Sequence, residues 1–140
     1  MGDRFSNLVE DAVVRASWTK GAFEFLEEYY FRVPLYVVSG TPTEELLRIS
    51  DRRRISHYFR RIYGSPEKKG YLIKKILTEG GYIRERVIMV GDALTDYEGA
   101  IEAGVRFIGV VPADKDNVFP SFVKIIRDLF VLRDIVSDYV

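Results

Sequence analysis

Val87-Ile88-Met89-Val90-Gly91-Asp92-Ala93-Leu94-Thr95-Asp96 decides the fold. Four apolar residues are too few for a helix and read as a buried strand. Gly91-Asp92 ends it where a 3.6-residue pattern begins, which predicts a helix to about Ala103. The strand therefore delivers Asp92 to a sheet edge, and Asp96 follows in the first helical turn. Carboxylates at i and i+4 can aim at one point beyond the strand's carboxyl end, where open α/β sheets bind ligands. Oxygen-only ligands at that spacing suit Mg²⁺, which takes few protein carboxylates and completes its shell with water and phosphate. The same residues also fit a simpler reading, in which Asp92 caps the helix and Asp96 decorates its first turn, both favoured by the helix dipole.

Outward from this stretch the strand-then-helix pattern repeats. Leu35-Tyr36-Val37-Val38 is a β-branched and aromatic run stopped by Ser39-Gly40-Thr41-Pro42, with a helix opening near Pro42. Backbone N–H groups over residues 39–43 then point past the strand tip, where they can hold an anion or be satisfied by a hydroxyl cap. Arg61-Ile62-Tyr63-Gly64 is a third short strand. The helix after Ser65-Pro66 presents Leu72, Ile73, Ile76 and Leu77 to a core and ends at Gly80-Gly81. Its lysines are solubilising by default, but Lys68 and Lys69 stand in the first turn, at the same edge as the other two strand tips. Phe107-Ile108-Gly109-Val110-Val111 is a fourth strand, residues 125–129 a short edge strand and 131–140 a final helix. Upstream, residues 5–16 carry one apolar helical face, and a second helix from about Thr19 turns Ala22, Phe23, Phe25 and Leu26 inward. Alternating helices and strands predict an α/β domain, a Rossmann-like parallel sheet of four or five strands with helices on both faces.

Composition narrows the function classes. A chain of 140 residues with 47% apolar and 30% charged residues makes one domain with a substantial core. Lys+Arg and Asp+Glu both total 21, so no overall field draws in nucleic acid or an anionic membrane, and neither is expected as a partner. Arg52-Arg53-Arg54 and Arg60-Arg61 read as a solvated face, and His57, beside Tyr58-Phe59, as a packing or surface residue. The absence of cysteine excludes disulfides, thiolate chemistry and Cys-based zinc sites. With no signal-like start and no spanning apolar run, a cytoplasmic location is the expectation.

Val37-Val38-Ser39-Gly40-Thr41, Gly64-Ser65-Pro66-Glu67-Lys68-Lys69-Gly70 and Val90-Gly91-Asp92-Ala93-Leu94-Thr95-Asp96 follow one another in order. They resemble the second, third and fourth motifs of the haloacid dehalogenase-like hydrolase superfamily, in its phosphoglycolate-phosphatase and β-phosphoglucomutase-like branch. The resemblance runs from about Gly21 to Val111. It implies a Mg²⁺-assisted phosphatase acting on a small phosphate monoester. Ser39, Gly40 and Thr41 would bind the phosphoryl group, Lys69 (with Lys68 as the alternative) would neutralise it, and Asp92 with Asp96 would hold the metal.

The family also begins with a strand ending in Asp-x-Asp, whose first Asp is the nucleophile. Here the one Asp-x-Asp is Asp114-Lys115-Asp116, after the fourth motif. The resemblance thus covers a C-terminal core portion with its first strand missing: residues 1–17 a remnant of a cap-domain helix, residues 18–140 a partial core. It carries three expectations: no turnover by this chain alone, self-association through the uncovered helix at residues 5–16, and, as an alternative to an enzyme portion, a non-catalytic phosphate- and Mg²⁺-binding or regulatory module.

Overall fold

The computed structural model describes residues 21–136. The expected helix at residues 5–16, Thr19 and the end of the last helix lie outside them. Helix α1 (Ala22–Tyr29) buries Ala22, Phe25, Leu26 and Tyr29. Phe23 was expected to face inward with them, but it is half exposed, because the buried positions follow a 22–25–26–29 stripe that excludes it.

Strand β1 (Tyr36–Pro42) leads into helix α2 (Thr43–Arg52), and β2 (Arg61–Ser65) into α3 (Lys69–Gly80). Strand β3 (Ile88–Gly91) then leads into α4 (Leu94–Ala103), and β4 (Arg106–Val110) is followed by β5 (Ile125–Ile126) and α5 (Leu132–Val136). The stops read from sequence hold where a left-handed residue is needed: Gly81 and Gly104 close α3 and α4 at φ of 67° and 76°. β1 runs four residues further than its apolar run, through a register shift after Val38 that brings Pro42 opposite Ser65. β5 is only two residues long, shorter than the 125–129 expected.

All the pairings are parallel, and apolar side chains pack on both faces. One core joins α1, α5 and α2 through Phe25, Leu26, Leu46 and Leu132. The other joins α3 and α4 through Leu72, Ile73, Ile76 and Ala100. Val37 belongs to the first core and Val38 to the second, as do Val90 and Met89, which is the alternation of a sheet covered on both sides.

The expected single sheet differs in one respect. Among the described residues β1 pairs with β2, and β4 with both β3 and β5, in two separate sheets with no ladder between β1 and β3. Neighbour order is set by tertiary packing, so the alternating pattern could predict the strands but not this division.

Candidate active site

The motif residues lie within β1 (Ser39), at the start of the helix after β2 (Lys69) and just after β3 (Asp92). Ser39, the middle residue of β1, is fully buried, and its Oγ accepts the N–H of Thr41 at 2.9 Å. That bond orients the hydroxyl proton away from Thr41. It also engages the Thr41 amide. Thr43 Oγ1 accepts the Gly64 N–H at 2.9 Å, tying the exits of β1 and β2 together.

Lys69 is the first residue of α3 and is only 8% exposed, while Lys68 before it is exposed. Lys68 is the extended residue that caps the helix, at ψ of 155°, and the change to helical backbone at Lys69 separates the directions of the two side chains. Lys69 Nζ donates to Asp96 Oδ1 at 2.9 Å and to Thr95 Oγ1 at 2.7 Å. Gly99 permits this meeting: a Cβ there would come within 3.0 Å of Lys69 Cβ and 3.2 Å of the Gly70 amide nitrogen. A larger residue would hold α3 and α4 apart.

Asp96, the third residue of α4, is fully buried. Its second oxygen, Oδ2, accepts the Ala93 N–H at 3.0 Å, the return half of a capping box. Burial pushes its carboxyl up to about 7, against the lowering effects of Lys69 and the Ala93 N–H, and the nearby Asp92 charge adds to the rise. Asp92 itself is half-buried at the exit of β3.

The i, i+4 spacing suggested two carboxylates aimed at one point. In the structure Asp96 has both oxygens engaged, by Lys69 and by Ala93, and Asp92 stands at the strand exit. Among the described residues no three His, Cys, Asp or Glu side chains converge on a point, so nothing resembles an all-protein metal cage. One carboxylate with neighbouring oxygens does fit Mg²⁺, which keeps most of its shell for water and phosphate.

Because β2 and β3 each run into the helices whose first turns meet at Lys69 and Asp96, these two strands end at the same edge. Ser39 joins them there through the parallel β1–β2 pairing. Sequence reasoning did not single out Thr95 as a partner of Lys69, or Thr43 as the acceptor joining β1 to β2. The only signal for either was a hydroxyl residue at a helix start. His57 is exposed, packed edge-on to Tyr30 and tilted on Tyr58, in the turn that enters β2 and hence at the opposite edge. Asp114 and Asp116 are exposed in the loop after β4.

The model of the haloacid dehalogenase-like hydrolases matches residues 5–110. Among solved structures, a candidate HAD-hydrolase of Bacillus subtilis, YfnB, solved bound to magnesium, superposes with a TM-score of 0.73 at 20% identity, over 89% of this chain and 57% of its own. A haloacid dehalogenase-like family hydrolase of Streptococcus pneumoniae gives 0.69 at 27% identity, over 83% of this chain and 59% of its own. The core domain of a candidate phosphoglycolate phosphatase from the same species gives 0.66 at 17% identity, over 84% of this chain and 85% of that domain. The chain therefore spans under three fifths of the first two structures and most of the isolated core. No curated protein matches it.

Proposed function

Since the chain belongs to the haloacid dehalogenase-like hydrolase family, we propose that its residues form the phosphate- and cation-binding side of a phosphatase for a small phosphate monoester. The observation that carries this reading is the Lys69–Asp96 pair, 2.9 Å apart and almost wholly buried where the ends of two half-sheets meet. Burying two charges can cost more than their attraction returns, and strongly perturbed buried groups concentrate where charge is handled.

In this reading Lys69 presents positive charge to the phosphoryl oxygens, and Asp96 acts on Lys69 rather than on the cation, fixing the ammonium's place. Ser39 donates its hydroxyl proton, directed away from Thr41, to a phosphoryl oxygen, and the Gly40 amide donates to another. Ser39 is covered in this structure, so its cover must open for a phosphate to reach it. Asp92 is the residue that would hold Mg²⁺, which when bound would offset phosphate charge and polarise the phosphoryl group.

The described residues hold no carboxylate at this edge in the position of a nucleophile, and Asp114 and Asp116 lie in an exposed loop. The described residues alone should therefore bind without turning over, and an aspartyl-phosphate would need a carboxylate supplied from outside them. The test is hydrolysis of an aryl phosphate with and without Mg²⁺, alongside Mg²⁺ titration calorimetry. We expect no turnover. Asp92→Asn should remove the Mg²⁺ heat, while Asp51→Asn, whose carboxylate bonds Ser56 in α2's exposed end, should keep it. Equal binding by both variants would take Asp92 out of the site. Mg²⁺-dependent hydrolysis abolished by Asp92→Ala and Lys69→Ala would show a nucleophile within the chain, with Asp114 and Asp116 the first to replace.

A further inference from the structure

We propose that the edge of the sheet opposite the phosphoryl site is a binding surface for single-stranded nucleic acid, with arginines for its phosphates and exposed aromatic rings for its bases. The chain's charges cancel overall, but they are not evenly spread. Residues 48–61 hold six arginines, no lysine and one aspartate, inside a chain whose net charge is zero. Tyr58 and Phe59, the aromatic residues within that run, are buried and offer no platform, which is why the run by itself reads as a solvated face.

The fold brings a platform from elsewhere. Tyr30 and Phe31, just past the end of α1, stand beside His57. The rings of Tyr30 and His57 lie 5.6 Å apart and those of Tyr30 and Phe31 5.5 Å apart, both edge to face. All three are exposed, Phe31 by 69%. The Arg32 guanidinium is 5.8 Å from the centre of the Phe31 ring, so a cation already borders it. The Arg60 N–H donates to the Leu35 carbonyl at 2.8 Å, which joins the entries of β1 and β2 and sets the arginines and the rings at one edge.

Arg54 argues that the run does more than keep the chain in solution. It closes α2 at φ of 58°, where the Ile55 N–H reaches back to the Ser50 carbonyl at 3.0 Å. Gly81 and Gly104 fill that left-handed position at the ends of α3 and α4. A side chain is strained there, and the chain accepts the strain for a third consecutive arginine. Among the described residues no ion pair engages Arg52, Arg53 or Arg54, and Asp51, the one acid of the run, accepts from the Ser56 hydroxyl.

The side-chain chemistry selects the ligand. A planar guanidinium grips phosphate through paired N–H groups and stacks on flat rings, neither of which an ammonium does. Exposed rings beside such a run give bases a stacking face. An acidic peptide would use the charge and leave the rings idle. An anionic bilayer would take a broad apolar face, whereas these rings are interrupted by Arg32 and His57. None of Ser39, Lys69, Asp92 or Asp96 takes part.

The experiment uses the full chain and fluorescein-labelled RNA and DNA strands of one mixed sequence, about ten nucleotides long, with labelled polyphosphate of equal charge as a ligand without bases. Fluorescence anisotropy at about 50 mM salt should show binding of at least one strand, the tighter of the two naming the preferred sugar. Phe31→Ala should weaken strand binding at least about fivefold and leave polyphosphate binding unchanged. Arg54→Gly should weaken both although its melting temperature rises, so that the loss is not one of folding. Lys115→Gln, in the exposed loop after β4, should change neither. No binding of either strand, equal strand binding by Phe31→Ala and the parent, or equal weakening by Lys115→Gln and Arg54→Gly would overturn the proposal. So would tighter binding of phosphatidylserine vesicles or polyglutamate than of both strands, which would assign the surface to a membrane or to an acidic protein. Failure of Mg²⁺ or inorganic phosphate binding would overturn the phosphatase reading and leave this one standing.

Discussion

Asp96→Asn tests the electrostatics of the site most directly, because it keeps the shape of the side chain and removes its proton equilibrium. The Asp96 carboxyl is pushed up to about 7 by burial, whereas in the unfolded chain it titrates near 3.9. Between those two values the folded chain holds a proton that the unfolded chain has lost. The stability contributed by this group is therefore complete below about pH 4 and is lost as pH rises through about 7. From pH 5 to pH 8 the loss spans about two pKa units, or about 3 kcal/mol at 1.36 kcal/mol per unit. Asparagine has no such equilibrium, and the other carboxylates titrate alike in both proteins and cancel in the difference. Asp96→Asn should thus gain about 3 kcal/mol on the parent chain between pH 5 and pH 8, whatever their offset at pH 5. Urea midpoints measured across that range, with the m-value constant, give the difference directly. Parallel pH profiles, or a difference moving the other way, would refute the reasoning: the attraction of Lys69 at 2.9 Å would then outweigh burial, and the pair would be a stabilising ion pair.

Lys69→Met removes the largest influence holding the Asp96 carboxyl down, so the pH-dependent loss of stability should extend above pH 7 in that variant; the same urea series would show it. Gly64→Ala would drive a Cβ into the carbonyl oxygen of Thr41 and against the Thr43 amide, both backbone, and should cost about 2 kcal/mol or more in thermal or urea unfolding. At Gly70→Ala the nearest atoms met belong to the Glu102 carboxylate, the mobile end of a side chain, and the variant should stay within about 0.5 kcal/mol of the parent. Ser39→Ala removes the hydroxyl that accepts the Thr41 N–H, which should cost about 1 kcal/mol of stability. In calorimetry with inorganic phosphate the same variant should bind more weakly than the parent chain.

The local choices were legible in the sequence. Short apolar runs ended by Gly, Ser or Asp marked four strands within a few residues, because a buried parallel strand needs apolar side chains on both faces and a turn residue to leave it. Gly81 and Gly104 marked helix ends, because a left-handed closing residue costs a side chain energy that glycine avoids. Three motifs in order brought Ser39, Lys69 and Asp92 to one edge before any coordinates were considered, since the strand-then-helix rhythm leaves each of them at a carboxyl end.

What needed the tertiary structure was every question of which partner a group meets. Whether Lys68 or Lys69 turns inward depends on how α3 is rotated against α4, and the contact at Gly99 sets that. Asp96 ends up committed to Lys69 and Ala93, apart from the strand-exit position of Asp92, because the packing of two helix N-termini buries it; the i, i+4 spacing carries no information about that neighbour. The division of the sheet between β1 and β3 was equally invisible, because a strand's own residues specify that it will pair and leave the identity of its neighbour to the packing of the whole chain.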